Sequence, residues 1–254
     1  MNFTVPPLPL RTRLLMLVRL LTVQGSYNYE TMIGNGIAFA IEPALRMLPG
    51  GRNGDAYRDA LARESRYFNA HPYLASVAVG ALAHAELALE DPARIERFRT
   101  AVCGPLGSVG DRLVWAGWLP LCSLVALAAF GFGASPLAVV VVFLVLYNAG
   151  HLALRAWGLN VGWRHGLGVA SVLANPVLQR GPAVLSRASA AVAGAGLPVA
   201  IAGMSGSRPA GVLVLAGTAA AGAALLSAFS GRLQGWRVAL ILLVIAALAA
   251  LVVP

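Results

Sequence analysis

Long uninterrupted apolar runs fill the second half of the chain, and they set the first expectation. Apart from the imidazole of His151, residues 113–154 carry no group that ionises at neutral pH. At a rise of 1.5 Å per residue, this run is too long for one crossing of a hydrocarbon core of about 30 Å and right for two. Gly131-Phe132-Gly133-Ala134-Ser135-Pro136 supplies the break between them. Three further uncharged runs, 188–207, 209–231 and 238–254, each come close to spanning length. The last is an Ala-rich helix around Ile241-Leu242-Leu243-Val244-Ile245, anchored at the interface by Trp236 and Arg237. In 188–207, Gly194, Gly196, Pro198 and Gly203 predict a bent or loosely packed helix.

The first half patterns differently. Stretches 32–48 and 72–89 are apolar and rich in small residues, yet carry Glu42, His84 and Glu86. Between them lie the polar Pro49-Gly50-Gly51-Arg52-Asn53-Gly54-Asp55 and an amphipathic helix reaching about Phe68. Two readings stand open. The region is a peripheral amphipathic layer, or a pair of re-entrant hairpins whose polar side chains line a cavity at membrane depth. The organisation expected is an N-terminal cytoplasmic arm at 1–23, a core with polar motifs at 24–112 and transmembrane helices at 113–254. The fold class is all-α: an integral membrane protein with re-entrant or broken helices in its N-terminal half and about five membrane-crossing segments in its C-terminal half.

Composition narrows the class. Of 254 residues, 58% are hydrophobic and 11% charged, with mean hydropathy +0.74. That excludes a disordered chain and argues against a soluble enzyme. All ten acidic residues lie in 1–111, where eleven Arg leave +1; residues 112–254 hold eight Arg and no acid. Those Arg stand singly between apolar runs, not in a basic stripe, so no nucleic-acid partner is expected. Placing the Arg-rich 94–112 inside makes Arg155, Arg164, Arg180 and Arg187 a cytoplasmic loop, with Arg232 and Arg237 also inside and Arg208 alone outside. The N-terminus is then cytoplasmic and the C-terminus outside, in a multi-pass protein. Cys103 and Cys122 lack metal or redox spacing and read as buried thiols. Three prolines ahead of Arg11 and Arg13 do not read as a cleavable signal peptide.

Three short polar constellations interrupt the apolar sequence. They are Gln24-Gly25-Ser26-Tyr27-Asn28-Tyr29-Glu30-Thr31-Met32, then Tyr67-Phe68-Asn69-Ala70-His71-Pro72-Tyr73, then Gly104-Pro105-Leu106-Gly107-Ser108-Val109-Gly110-Asp111 with Trp115 one turn on. Amides and single carboxylates hydrogen-bond sugar hydroxyls, and an aromatic ring packs on the apolar face of a pyranose. Segments interrupted by glycine and proline beside membrane spans also point to substrate sites in transporters.

Together these blocks resemble the IID subunit of the mannose/fructose/sorbose family of the phosphoenolpyruvate-dependent sugar phosphotransferase system. The family's pattern runs Gln-Gly-Ser-Trp-Asn-Tyr/Phe-Glu-Arg-Met, Phe-Phe-Asn-Thr-His/Gln-Pro and Gly-Pro-Leu-Ala-Gly-Ile/Val-Gly-Asp, and all three blocks occur here in order. Pro43-Ala44-Leu45-Arg46, Tyr147-Asn148 and Gly158-Leu159-Asn160-Val161-Gly162-Trp163 add to the likeness. Tyr27 replaces the family's Trp, Thr31 its Arg, and Gly107-Ser108 its Ala-Gly. The resemblance implies a non-catalytic inner-membrane permease subunit without cofactor. It would pair with a IIC subunit, as a trimer of heterodimers with an elevator-like core, to carry a hexose. Phosphate would pass through separate cytoplasmic IIA and IIB proteins, and lipid surrounds the assembly. The alternative is a IID-like scaffold or regulatory subunit without net transport.

Candidate sugar-binding residues are Gln24, Tyr27, Asn28, Asn69, His71 and Asp111. Gln24 and Asn28 share a face if their stretch is helical; otherwise they satisfy backbone at a turn. His71 lines the pathway or holds structure. Asp111 is functional or capping, with Arg112 or a partner subunit as counter-charge. Tyr27 and Trp115 serve either as interfacial belt or as sugar platform. Gly104, Pro105, Gly107 and Gly110 are conformational, permitting close backbone approach. His84 and His151 are core or interface, and His165 is solvated. No set of groups for a membrane-embedded enzyme is visible.

Overall fold

A computed structural model describes residues 7–205, together with residues 5 and 222. Apart from residue 222, the crossings expected at 209–231 and 238–254, with Arg208, Arg232, Trp236, Arg237 and the C-terminus, lie outside the described residues. Within them the chain is helical, without a strand. Two compact units form, one from Met1–Val114 with Ala149–Gly181 and one from Trp115–Asn148 with Pro182–Pro254.

The first unit is built on two short apolar helices, α2 (Gly34–Leu45) and α4 (Ala75–Leu87). Both are largely apolar and largely enclosed: ten of the twelve residues of α2 are buried, and in α4 every residue but His84 is buried. At about 1.5 Å per residue neither can cross a bilayer core of about 30 Å. Around them pack α1 (Leu10–Leu20), α3 (Asp55–Glu64) and α5 (Pro92–Gly110). Asp91 caps α5 by accepting from the Ala93 N–H at 3.1 Å, and Pro92 fills the first turn, where no N–H is needed.

The acids carried by the apolar stretches do not line a cavity. Pro43 lacks an N–H, which leaves the Phe39 carbonyl without its helical partner. Arg19 supplies the missing donor at 2.9 Å and lies over the Phe39 ring at 4.4 Å. The same guanidinium reaches Glu42 at 2.7 Å, and Arg46, Arg52 and Tyr57 also bond that carboxylate. Burial alone would raise Glu42, but the bonds from Arg46, Tyr57 and Arg19 outweigh it and hold the carboxyl at about 2. Its contribution to stability is present above its ordinary 4.5 and is lost as pH falls through about 2. Glu86 is likewise held by Arg63, with bonds of 2.9 and 2.7 Å. His84 Nδ1 meets the Trp163 carbonyl at 2.7 Å.

From α5 the chain continues as one helical rod, through a π-helical stretch at Asp111–Trp118 into α6 (Leu119–Gly131). Pro105 and Pro120 bracket the disturbed stretch, each removing an i→i−4 bond. The break expected at 131–136 is present: α6 ends at Gly131 and α7 (Pro136–His165) begins at Pro136. The rods Pro92–Gly131 and Pro136–Val169 are long and apolar enough to cross a membrane. Leu137, Val140, Val141, Leu144, Val145 and Leu152 are all exposed on α7, an arrangement favourable against lipid and costly against water.

One expectation is corrected. Arg155, Arg164, Arg180 and Arg187 are not on a loop: the first two belong to α7, the last two to α9 (Pro176–Ser205). Arg155 does not end the apolar helix because its charge is buried against carbonyls, as described below. Residues 188–205 form a continuous part of α9. Gly196 brings α9 onto α6 in the second unit, where an added Cβ would stand 2.6 Å from that of Ala128. Gly131 makes the reciprocal approach to Ala200. Between α7 and α9 lie a 3-10 turn at Gly166–Val169 and the four-residue α8 (Ala170–Leu173).

Candidate functional site

The first polar block forms turns, not a helix, so Gln24 and Asn28 do not share a helical face. Asn28 organises the turn. Its Oδ1 accepts from the Glu30 and Thr31 N–H groups at 2.9 and 2.8 Å, and its Nδ2 donates to Thr31 Oγ1 at 2.9 Å. This is the local side-chain bonding that draws Asn to turns. Thr31, where the family pattern has Arg, is used in that bond. Gln24 and Glu30 are exposed, and Tyr27 is half exposed with its ring edge-on to Tyr29.

Backbone pairing joins this turn to the second block. The Phe68 N–H donates to the Thr31 carbonyl at 3.1 Å, and the Ile33 N–H to the Phe68 carbonyl at 3.0 Å. Phe68 is fully buried, with the Arg99 guanidinium 5.3 Å from its ring centre. Fixing Phe68 inward turns its neighbours Tyr67 and Asn69 outward, as in any extended chain.

Arg155 fixes the far end of the second block. Its Nη1 donates to the Leu20 carbonyl at 2.6 Å and to the Pro72 carbonyl at 3.2 Å, and its guanidinium lies over the Tyr73 ring at 4.5 Å. It satisfies the carboxyl end of α1, where a cation is favoured. Tyr73 stacks on His151, ring centres 5.0 Å apart, and meets His71 edge-on at 5.1 Å. The Tyr73 N–H donates to His71 Nδ1 at 3.2 Å. Gly110 presses on the imidazole, where a Cβ would stand 2.9 Å from Nδ1.

Burial, with the nearby charge of Arg155, lowers His71 to about 4, so it is neutral at pH 7. The unfolded chain binds that proton near the ordinary 6.5, so the His71 contribution to stability is complete above 6.5 and is lost as pH falls toward 4. A His71→Gln variant should show a flatter melting temperature between those two pH values than the parent, in a pH series of thermal unfolding.

Across from the second block, α5 presents Cys103, Gly104, Gly107 and Ser108, and Asp111 follows at the start of the π-helical stretch. Their spacing of three to four residues puts them on one helix face. With Tyr67, Asn69, Ala70, His71 and Pro72 they enclose a cavity of about 460 Å³. Of the expected sugar ligands, Asn69, His71 and Asp111 come together here; Gln24, Tyr27 and Asn28 do not line it. Asp111 is exposed, and Arg112 is not drawn to it: Arg112 Nε donates to the Ser108 carbonyl at 3.1 Å.

The glycines divide in role. Gly110 makes the close approach expected of it. A Cβ on Gly104 or Gly107 meets no described atom within 4 Å, so these two leave room instead of permitting contact. Pro105 faces a different groove. Trp115 belongs to the second unit and is partly exposed. His84 and His151 take packing positions, and His165 is exposed at the end of α7.

Sequence reasoning passed over Tyr67 and Ser108 as cavity residues and over Arg155 as the anchor of the second block. A single Arg amid an apolar run was the available signal for Arg155, because such a charge needs a partner inside the protein.

Comparison with known proteins gives concordant results. The sequence profile of the PTS system mannose/fructose/sorbose family IID component matches residues 8–197. The chain is 30% identical over 169 residues to the PTS system mannose-specific EIID component of Escherichia coli (strain K12), covering 62% of this chain. It is 29% identical over 172 residues to the fructose permease IID component of Bacillus subtilis (strain 168), covering 65% of this chain. The chain spans 56% of the length of the first and 60% of the second. Its structure is similar to a chain in the cryo-EM structure of the mannose transporter ManYZ in complex with microcin E492 (MceA). The TM-score is 0.58 at 26% identity, covering 82% of this chain and 70% of that one.

Proposed function

The chain belongs to the mannose/fructose/sorbose family of phosphotransferase-system IID components, and from that premise we propose that it is the membrane permease subunit of a hexose transporter. It works with a IIC subunit in the inner membrane, as a trimer of heterodimers, and IIA and IIB on the cytoplasmic side phosphorylate the sugar. The observation that carries this reading is the cavity. Two blocks about 40 residues apart in sequence converge to place an amide, an imidazole, a carboxylate, a phenol and a hydroxyl around about 460 Å³. That volume lies within the roughly 300–1,000 Å³ usual for small-molecule sites.

The chemistry fits a polyol. Asp111 accepts two hydroxyl hydrogens, Asn69 donates and accepts, and Tyr67 offers a ring for the apolar sugar face. A neutral His71 keeps the pocket without a buried cation.

Counterflow of labelled mannose, fructose and sorbose in vesicles holding this chain with its IIC partner tests the proposal. Asp111→Asn and Gly107→Leu should each lower exchange of the accepted sugar by at least tenfold while the complex still assembles. Gly107→Leu fills the cavity where the backbone has space, so its melting temperature should be unchanged or higher. Wild-type exchange in both variants would refute the site. No counterflow by the parent complex with any of the three sugars would favour the scaffold reading.

A further inference from the structure

A second concavity, on the same helix as the sugar cavity but with different residues, has no role in transport as proposed. It is an open groove of about 520 Å³ between α5 and the segment after α7. Its polarity runs in one direction. Arg94 and Arg97, both exposed, stand at its start near the amino end of α5. One and two turns further along the helix the wall becomes Ala101, Val102 and Pro105, and the facing wall is Leu167 and Leu173. Pro105 adds to this apolarity, because it brings no N–H and its ring faces the groove.

We propose that this groove binds an anionic phospholipid, with the phosphate on Arg97 and Arg94 and an acyl chain along Ala101, Pro105, Leu167 and Leu173. Charge complementarity carries the choice of occupant. Arg94 is held by Glu90 at 2.8 Å, which leaves Arg97 as the principal partner of a phosphate. A guanidinium gives the phosphate two parallel donors; a zwitterionic head group offers the same oxygens, but its own cation is repelled by the arginines and offsets the attraction. The order along α5, cation first and apolar wall after, matches the order of head group and chain where the rod Pro92–Gly131 begins. A soluble anion would need only the arginines, and an apolar peptide only the wall.

The test is thermal unfolding of the full chain in neutral detergent with added phosphatidylglycerol, phosphatidylcholine or inorganic phosphate. Phosphatidylglycerol should raise the melting temperature by roughly 5 °C or more at saturation, and the other two should not. Arg97→Gln should raise the phosphatidylglycerol concentration giving half the shift by roughly tenfold, the equivalent of one charge-assisted hydrogen bond. Ala101→Trp, which blocks the groove without altering charge, should do the same. Both positions are exposed, so both variants retain the fold. An equal shift with phosphatidylcholine or with phosphate alone would overturn the proposal, as would a wild-type response in both variants.

Discussion

Replacing Arg99 with methionine is expected to cost about 3–5 kcal/mol of stability, the loss typical of breaking a buried ion pair from one side. Arg99 and Glu64 are both inaccessible, with side-chain exposures of 2% and 0%. The guanidinium bonds the Glu64 carboxylate, donates to the Arg66 carbonyl at 3.0 Å and covers Phe68. Methionine would fill part of the volume and leave the carboxylate, the carbonyl and the ring without their partner. Burial already pushes the Glu64 carboxyl up, and the nearby charge of Glu86 adds to that. Without Arg99 the group must take up a proton to stay inside. The deficit should therefore shrink as pH falls, and Glu64→Gln combined with Arg99→Met should recover more than half of it. Thermal unfolding followed by tryptophan fluorescence measures both, at about 2–4 °C per kcal/mol for a chain of this size. A loss under about 1 kcal/mol in the single variant would show that the pair is solvated.

The same pair explains how the cavity stays in shape. Arg63 and Glu64 are consecutive on α3 yet bond different helices, Glu86 on α4 and Arg99 on α5. The second block begins three residues after Glu64, at Tyr67. Its start is therefore fixed against both neighbours, while Arg155 fixes its end.

What the sequence made legible follows from how local each signal was. The break at 131–136 could be read because glycine and proline act on their own backbone. In the third block only Asp111 was legible as a polar ligand; glycine signals close approach, so Gly104 and Gly107, which leave space beside Ser108, were read for the opposite role. The first block could not be decided. Residues four apart are neighbours in a helix, but Asn28 also closes a turn on its own backbone, and only the pairing of Thr31 and Ile33 with Phe68 selects the turn. Arg155 was misplaced because charge was used to end the apolar run. In the folded chain its guanidinium is satisfied by carbonyls 135 and 83 residues away, and no local pattern encodes partners that distant. The pairs joining α3 to α4 and α5 are hidden for the same reason.

Gly162→Leu should be as damaging as the loss of Arg99, and for a reason that involves no charge. Gly158 and Gly162 lie one turn apart on α7, in the spacing that lets helices in membranes approach backbone to backbone. They meet the matching small residues of α4. A Cβ on Gly162 would stand 2.8 Å from the Ala81 nitrogen, and one on Gly80 would stand 2.7 Å from the Trp163 nitrogen. The obstructing atoms are main chain, which cannot rotate away, so the helices must separate. That withdraws α7 from a helix whose residues are nearly all buried, and it pulls His84 from the Trp163 carbonyl and Arg155 from Tyr73. The expected cost is about 3 kcal/mol or more, at the upper end for overpacking. It should appear as loss of folded chain in size-exclusion chromatography of the membrane extract. Gly107→Leu is the matched control, because the same side chain enters open space there. If Gly162→Leu and Gly107→Leu extract and melt alike, α4 and α7 are not in backbone contact, and the frame that carries the second block needs another support.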